Sequence, residues 1–182
     1  MKIYSKAGDD GTTGLFLGGR VSKADTLVDA CGAIDEAVAV MGVASAGCAD
    51  PELAAVVLAR QKELFVVAAD LATNPEHRDR LTAGISAVTP EMVGGLEALI
   101  DRLVAEHPLR PVFVVPGAAS TSAALDHART VVRRAERHVV QAQEEGHLVS
   151  AAALRYLNRL SDLTFVLARL AAGDSEEPAS HD

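Results

Sequence analysis

The sequence predicts an all-α protein, a five-helix bundle with an extended glycine-rich loop at its N-terminus. Three observations predict it. Hydrophobic residues make up 49% of the 182 residues, mostly Ala, Val and Leu, and aromatics only 3%; such side chains lose little rotamer freedom in a helix. Apolar residues recur at three- and four-residue steps over long segments, with no alternation of strand and helix. Capping residues, prolines or glycines punctuate those segments. The length suits one domain, and no internal repeat is evident.

The chain opens on "SKAGDDGTTGLFLGGR", Ser5 to Arg20, a loop rich in glycine and hydroxyls with only "MKIY" before it. Helical signals follow. Asp25 or Thr26 is the expected N-cap of a first helix whose apolar face carries Leu27, Cys31, Ile34, Val38 and Met41. Asp50-Pro51 starts a second, since proline suits a first helical turn. "TNPEHRDRLTAGISAV" breaks the pattern and predicts an exposed loop. Thr89-Pro90-Glu91 starts a third helix, which runs to about Glu106 before His107-Pro108 ends it. "PLRPVFVVPGAAS" is apolar and bounded by prolines, hence an extended connector. A fourth helix runs from Ser120 or Thr121 to about Glu145, with Gly146 as its stop. Leu154, Leu157, Leu160, Leu163, Val166, Leu167 and Leu170 stripe a fifth. The polar tail 173–182, "GDSEEPASHD", predicts disorder.

The formal net charge of −8 argues against nucleic acid as a partner, because a duplex binder needs a basic surface to displace counterions. No signal-peptide core and no membrane-spanning apolar run is evident, so a cytoplasmic protein is expected. Cys31 and Cys48 form neither a metal-type pair nor a disulfide framework; both read as small buried thiols.

Within "ARTVVRRAERHVV", Arg129, Arg133 and Arg137 recur every four residues and share one side of the fourth helix. Ala128, Val131, Val132, Ala135 and Val139 take the opposite side, which can pack inward. The stripe suits either a solvated basic face or an anion site, since the arginine fork matches phosphate oxygens in a bidentate way. Asn158 and Asp162 share a face of the fifth helix, fitting either a structural hydrogen bond or a sugar or phosphate contact. The opening loop lacks the P-loop and dinucleotide fingerprints. Its glycines would still admit a phosphate to backbone amides, with Lys6 and Lys23 supplying charge; the alternative is a flexible arm. Glu144 and His147 make a single Glu-x-x-His, where a di-metal bundle needs two, so no resident metal site is expected.

Three separated stretches, "YSKAGDDGTTGLFLGGRVSK", "ARTVVRRAER" and "YLNRLSDLTFVLAR", resemble in order and spacing the PduO-type ATP:cob(I)alamin adenosyltransferases. "VDACGAIDE" and "FVVPGAAS" are similar to that family's intervening blocks. The resemblance implies one adenosyltransferase domain over 1–172: a nucleotide loop at 1–23 and a helical bundle at 24–172. It also implies a homotrimer with active sites between subunits, and transfer of the 5′-deoxyadenosyl group of ATP to cob(I)alamin with release of triphosphate.

Carried over by position, Ser5, Lys6, Ala7 and Gly8 would wrap the nucleotide, while Thr13, Gly14 and Lys23 would hold its phosphates with magnesium. Arg133, Glu136 and Arg137 would line the nucleotide site with Asn158, and Arg129 would pair with Asp35 across the subunit boundary. Phe113 would sit beneath the corrin ring, joining Arg133 and Arg137 as the residues closest to the chemistry. A flavoprotein reductase and an adenosylcobalamin-dependent mutase are the implied protein partners. The chain departs from the family pattern where "YTKTGD" becomes Tyr4-Ser5-Lys6-Ala7-Gly8-Asp9, "DELN" becomes Asp35-Glu36-Ala37-Val38, and "LPGG" becomes Val115-Pro116-Gly117-Ala118. A nucleotide sensor or corrinoid carrier on the same scaffold, or a helical scaffold protein, are the other two readings.

Overall fold

The structure is a computed structural model and describes residues 3–179. Five long helices carry it: α1 (Thr26–Ala46), α2 (Pro51–Leu71), α3 (Pro90–Glu106), α4 (Ser120–Glu144) and α5 (Ala151–Ala172). Their starts follow the expected capping chemistry, in which a side-chain oxygen accepts from an otherwise orphaned amide. Asp25 accepts from the amide of Leu27 and begins α1. Asp50 accepts from Glu52 and Leu53, Thr89 from Met92 and Ser150 from Ala153. At α4 no cap side chain is available on Ala119; Ser122 Oγ instead accepts from the Ala119 amide at 3.0 Å. Gly146, at φ +97, turns the chain out of α4, and the His147 amide then reaches the Ala142 carbonyl at 3.0 Å.

Helix α4 lies at the centre, packed on α1 and α5; α1 also packs on α2, α2 touches α5, and α3 covers the outer side of α5. The inward stripe of α4 is realised as expected: Ala128, Val131, Val132, Ala135 and Val139 are all fully buried. They meet the leucines of α5 and Leu27, Ile34 and Met41 of α1 in one core. Tyr156 is the largest fully buried side chain; burial, then the Glu63 carboxylate that accepts its hydroxyl, pushes its ionisation up.

The segment between α2 and α3 is more ordered than its polarity predicts. A 3-10 turn spans Pro75–Arg80, and the buried carboxylate of Asp70, 1% exposed, organises what surrounds it. Asp70 accepts from Arg78 Nη2 at 2.6 Å, from the Val88 amide at 2.8 Å and from Ser150 Oγ at 3.2 Å. One buried charge thus ties the end of α2, the turn, the start of α3 and the start of α5 together, satisfied by three donors.

Four other expectations need correction. The all-α prediction misses two small antiparallel sheets: β1 (Thr12–Gly14) with β2 (Arg20–Ser22), and β3 (Val114–Val115) with β4 (Glu177–Pro178). The glycine-rich segment is therefore a hairpin and not a free arm. The expected disordered tail is instead placed over its described part, 173–179, because its backbone pairs with the connector. The Ala179 amide donates to the Phe113 carbonyl at 2.8 Å, and Arg110 Nη1 donates to the Glu176 carbonyl at 3.2 Å. Residues 180–182 of the tail lie outside the described residues. Finally, the cysteines are only partly buried, and Cys48 lies past the end of α1, its Sγ donating to the Asp50 carbonyl.

Candidate active site

The N-terminal loop is built by local chemistry. Asp10 accepts from the amide of Thr12 at 2.9 Å and from its hydroxyl at 2.8 Å; these bonds hold the carboxyl below its ordinary range. Arg20 Nε donates to Thr12 Oγ1 at 2.9 Å, and another arm of the same guanidinium donates to the Ala7 carbonyl. Lys23 Nζ donates to the Gly8 carbonyl at 2.8 Å, drawing the start of the loop onto its end. Position 8 is tightly enclosed: a Cβ there would lie 3.0 Å from the Thr12 carbonyl oxygen and 3.1 Å from Lys23 Nζ, so these neighbours would have to shift.

The tip of the loop is fastened to the bundle. The Phe16 amide donates to the Ala72 carbonyl at 2.8 Å, the Asn74 amide to the Phe16 carbonyl at 2.9 Å, and Asn74 Nδ2 to the Gly18 carbonyl at 3.1 Å. Ser5, Lys6, Ala7, Gly8, Thr13, Gly14 and Lys23 thus belong to one folded unit at the head of α1. Ser5, Lys6, Ala7, Gly14 and Lys23 are exposed, whereas Gly8 and Thr13 are half-buried.

Helix α4 sorts its basic residues by face. Arg134 pairs with Glu36 and His138 with Asp29, both on α1. Arg133 and Arg137 point outward and are exposed, and neither has a carboxylate partner among the described residues; Arg137 Nη1 donates only to the Arg133 carbonyl, at 3.1 Å. Toward α5, Asn158 Nδ2 donates to Glu136 Oε1 at 2.9 Å, so the two residues expected to share a site do meet. Arg129 is half-buried, and its Nε lacks any hydrogen-bond partner among the described residues.

Two cavities flank this arginine. One, of about 430 Å³, lies between α3, α4 and α5 and is lined by Arg129, Arg133, Arg159 and Phe165 among others. The other, of about 400 Å³, shares Arg129 and Phe165 and is bounded by the Pro111–Pro116 connector with Phe113. Phe113 itself is 90% exposed, so its ring is not part of the core within this chain.

Several groups stay apart. Asp35 is exposed on α1 and makes no ion pair with Arg129 within the chain. No hydrogen bond or ion pair among the described residues joins the loop, 3–23, to Arg129, Arg133 or Arg137. In the Glu144–His147 motif, His147 pairs with Asp25 at 3.2 Å. Among the described residues no group of three or more His, Cys, Asp or Glu gathers as a metal site. Burial, then Asp25, push the Cys31 thiol up to about 11, away from the thiolate a nucleophile needs. No helix among the described residues is long and apolar enough to cross a membrane.

Sequence reasoning missed Arg20, which ties the loop together, and Phe165, which lines both cavities. Arg20 is separated from its partners by the length of a hairpin that the sequence does not announce. Phe165 sits in the leucine stripe of α5 and reads there as core.

A sequence profile described as cobalamin adenosyltransferase matches residues 3–171. The corrinoid adenosyltransferase of Citrobacter freundii is 41% identical over 93% of this chain and 94% of its own. That of Mycobacterium tuberculosis is 42% identical over 96% and 91%. The corrinoid adenosyltransferase PduO of Salmonella typhimurium is 38% identical over 97% of this chain, which spans only 52% of that protein. Among solved structures, a phenylalanine-to-histidine variant of the PduO-type ATP:corrinoid adenosyltransferase of Lactobacillus reuteri, complexed with cobalamin and ATP, superposes with a TM-score of 0.84. It is 31% identical, covering 94% of this chain and 91% of that one. An arginine-to-lysine variant of that enzyme complexed with ATP gives a TM-score of 0.82 at 32% identity, covering 94% of each chain.

Proposed function

The chain belongs to the cobalamin adenosyltransferase family, and on that premise we propose that it transfers the 5′-deoxyadenosyl group of ATP to cob(I)alamin. In this reaction the cobalt(I) electron pair forms the cobalt–carbon bond at the 5′ carbon. The carbon–oxygen bond breaks, and its electrons leave on triphosphate. The nucleophile belongs to the substrate, so no side-chain nucleophile or general base is required. What the protein contributes is positioning and stabilisation of charge on the leaving group.

The observation that carries this reading is the uncompensated pair Arg133 and Arg137. In a chain of net charge −8, the neighbouring Arg134 and His138 both have carboxylate partners, while the two outward arginines are left without one. Like charges one helical turn apart destabilise a helix by a few tenths of a kcal/mol, a cost that a triphosphate removes. Lys23 and the amides around Thr13 and Gly14 supply the second set of phosphate contacts. Magnesium fits as the counter-ion that arrives with ATP, since such ions are held through one or two protein oxygens and the substrate phosphates; the exposed Asp9, Asp10 and the Thr13 hydroxyl are the oxygens at hand.

The site is shared between copies of the chain in a homotrimer. Two observations support this: among the described residues no hydrogen bond or ion pair joins the loop to the arginine stripe, and Arg129 carries a buried N–H without a partner there that an Asp35 from a neighbouring subunit would satisfy. Phe113, exposed beside a cavity lined by Phe165 and Arg129, faces the corrinoid. A flavoprotein reductase upstream and an adenosylcobalamin-dependent mutase downstream complete the reading, in the cytoplasm.

The decisive experiment mixes the protein anaerobically with cob(I)alamin and ATP and follows the corrinoid spectrum with triphosphate release. Conversion of cob(I)alamin to an alkylated corrinoid with equimolar triphosphate is expected. ATP binding without triphosphate release would make the protein a carrier or sensor, and absence of ATP binding would leave a scaffold.

A further inference from the structure

Arg159 is absorbed by none of the roles above, yet it stands at the junction of three helices. Its Nε donates to Glu97 Oε1 of α3 at 2.8 Å. Its Nη1 donates to Asn158 Oδ1 at 2.8 Å and lies 3.5 Å from Asp162 Oδ2. Asn158 in turn donates from Nδ2 to Glu136 Oε1 at 2.9 Å. The chain of contacts therefore runs from α3 through α5 to α4 and ends on a carboxylate beside the arginine stripe.

The donor and acceptor chemistry allows only one arrangement. A guanidinium only donates and a carboxylate only accepts. With Arg159 on one side and Glu136 on the other, the Asn158 amide must turn its oxygen to the arginine and its nitrogen to the glutamate. Without Arg159 the oxygen loses its donor, and the amide is held only by the glutamate about a terminal bond whose orientations are broad. Glu97 holds the guanidinium by a second arm, so the arginine is itself fixed from outside the site.

We propose that Arg159, braced on Glu97, is a positioning residue that fixes the Asn158 amide, and through it the Glu136 carboxylate, for ATP. The proposal rests on the ATP site argued above. Stability alone does not account for the arrangement. The Arg159 and Glu97 side chains are 38% and 49% exposed, and ion pairs so placed contribute little to folding. The value of the fork lies in geometry: two donors on one rigid plane hold two acceptors at once, as lysine's point charge does not.

The test is a double-mutant cycle on the full-length enzyme with Arg159→Ala, Asn158→Ala and the pair, assayed with cob(I)alamin and varied ATP. Arg159→Ala raises KM for ATP about fivefold and changes kcat by no more than about twofold. In the Asn158→Ala background the same substitution adds nothing, because the group through which it acts is gone. An equal loss in that background would show that Arg159 acts on ATP directly, and an unchanged KM in the single variant would show that it does not act; either overturns the proposal.

A second readout needs no turnover. In the unliganded protein the Asn158 side-chain amide gives slowly exchanging NMR signals, and Arg159→Ala accelerates that exchange. Identical exchange in both proteins overturns the relay. Failure of the wild type to adenosylate would count against the function and leave the relay to be judged on this signal.

Discussion

Replacing Phe113 by alanine separates a corrinoid enzyme from an ATP-binding bundle, and the structure sets what each outcome must look like. The ring is 90% exposed, so only about a tenth of its surface is withdrawn from water. Full burial of a phenylalanine side chain stabilises by up to about 3 kcal/mol; the fraction realised here is worth about 0.3 kcal/mol. For a chain of this size the melting temperature should fall by about 1 °C. The connector stays in place, because its anchor is the Phe113 carbonyl and not the ring. A core phenylalanine would instead cost about 3–5 kcal/mol.

The catalytic effect should be large and dependent on cobalt state. A ring beneath the corrin excludes water and the lower ligand from cobalt(II), which makes reduction easier. With cobalt(II) and a reductant, Phe113→Ala should lose at least about tenfold in rate, equivalent to about 1.4 kcal/mol in the barrier. With pre-formed cobalt(I) the loss should shrink to about threefold or less, and KM for ATP should not move. The assay runs both cobalt states in parallel with a melting curve. Equal losses in both states would refute ligand exclusion, and wild-type rates in both would remove Phe113 from the chemistry.

Two other sets of substitutions test the site and its frame. Lys23→Ala and Arg137→Ala should each lower kcat/KM for ATP about ten- to a hundredfold, since each removes a charge-assisted contact worth about 1.5–3 kcal/mol, while circular dichroism stays unchanged. Refolded together, the two impaired chains should recover activity above that of either alone, because in a shared site about one interface in four pairs an intact loop with an intact helix; no recovery would place both halves in one chain. Asp70→Ala strands Arg78 and two further donors, and should cost about 3–5 kcal/mol by thermal or urea unfolding. A loss under about 1 kcal/mol would mean that water replaces the carboxylate.

The helical framework was legible because its signals are local. Capping residues, Pro51, Pro90 and Gly146, and the alternation of arginine and valine on α4 all act within a turn or two. The loop's covalent neighbourhood was legible too, but not its hairpin, since β1 and β2 are three residues each and depend on Arg20 and Lys23 reaching back across the turn. The order in 173–179 was illegible for a related reason. Nothing in "GDSEEPA" is apolar enough to predict packing; the segment is placed by backbone pairing to Val114 and Val115 and by Glu176 beside Arg169 at 3.1 Å. Asp70 and Glu97 gave no signal either, because a buried or braced acid in a helix reads like a surface one until its partners arrive from distant segments.

The same distinction between local and distant chemistry explains why the proposed site divides as it does. Each half is held by its own contacts. The loop is closed by Lys23 on Gly8 and fastened through Phe16 and Asn74, and the arginine wall is a helix packed on two others. Yet each half carries exposed positive charge: Lys23 on one, Arg133 and Arg137 on the other. The arginine stripe cannot turn inward, since α1 already occupies the adjoining face of α4 through Glu36 and Asp29, which pair with Arg134 and His138. A neighbouring copy is therefore the simplest source of the missing wall. An interface in which one chain's loop meets the next chain's helix is head-to-tail, and such an interface must close into a ring or grow without limit. The proposed closed ring of three would sediment at three times 19.0 kDa and would satisfy every copy of Arg129 and Asp35 at once; a monomer that turns over at the full rate would leave the division of the site without a cause.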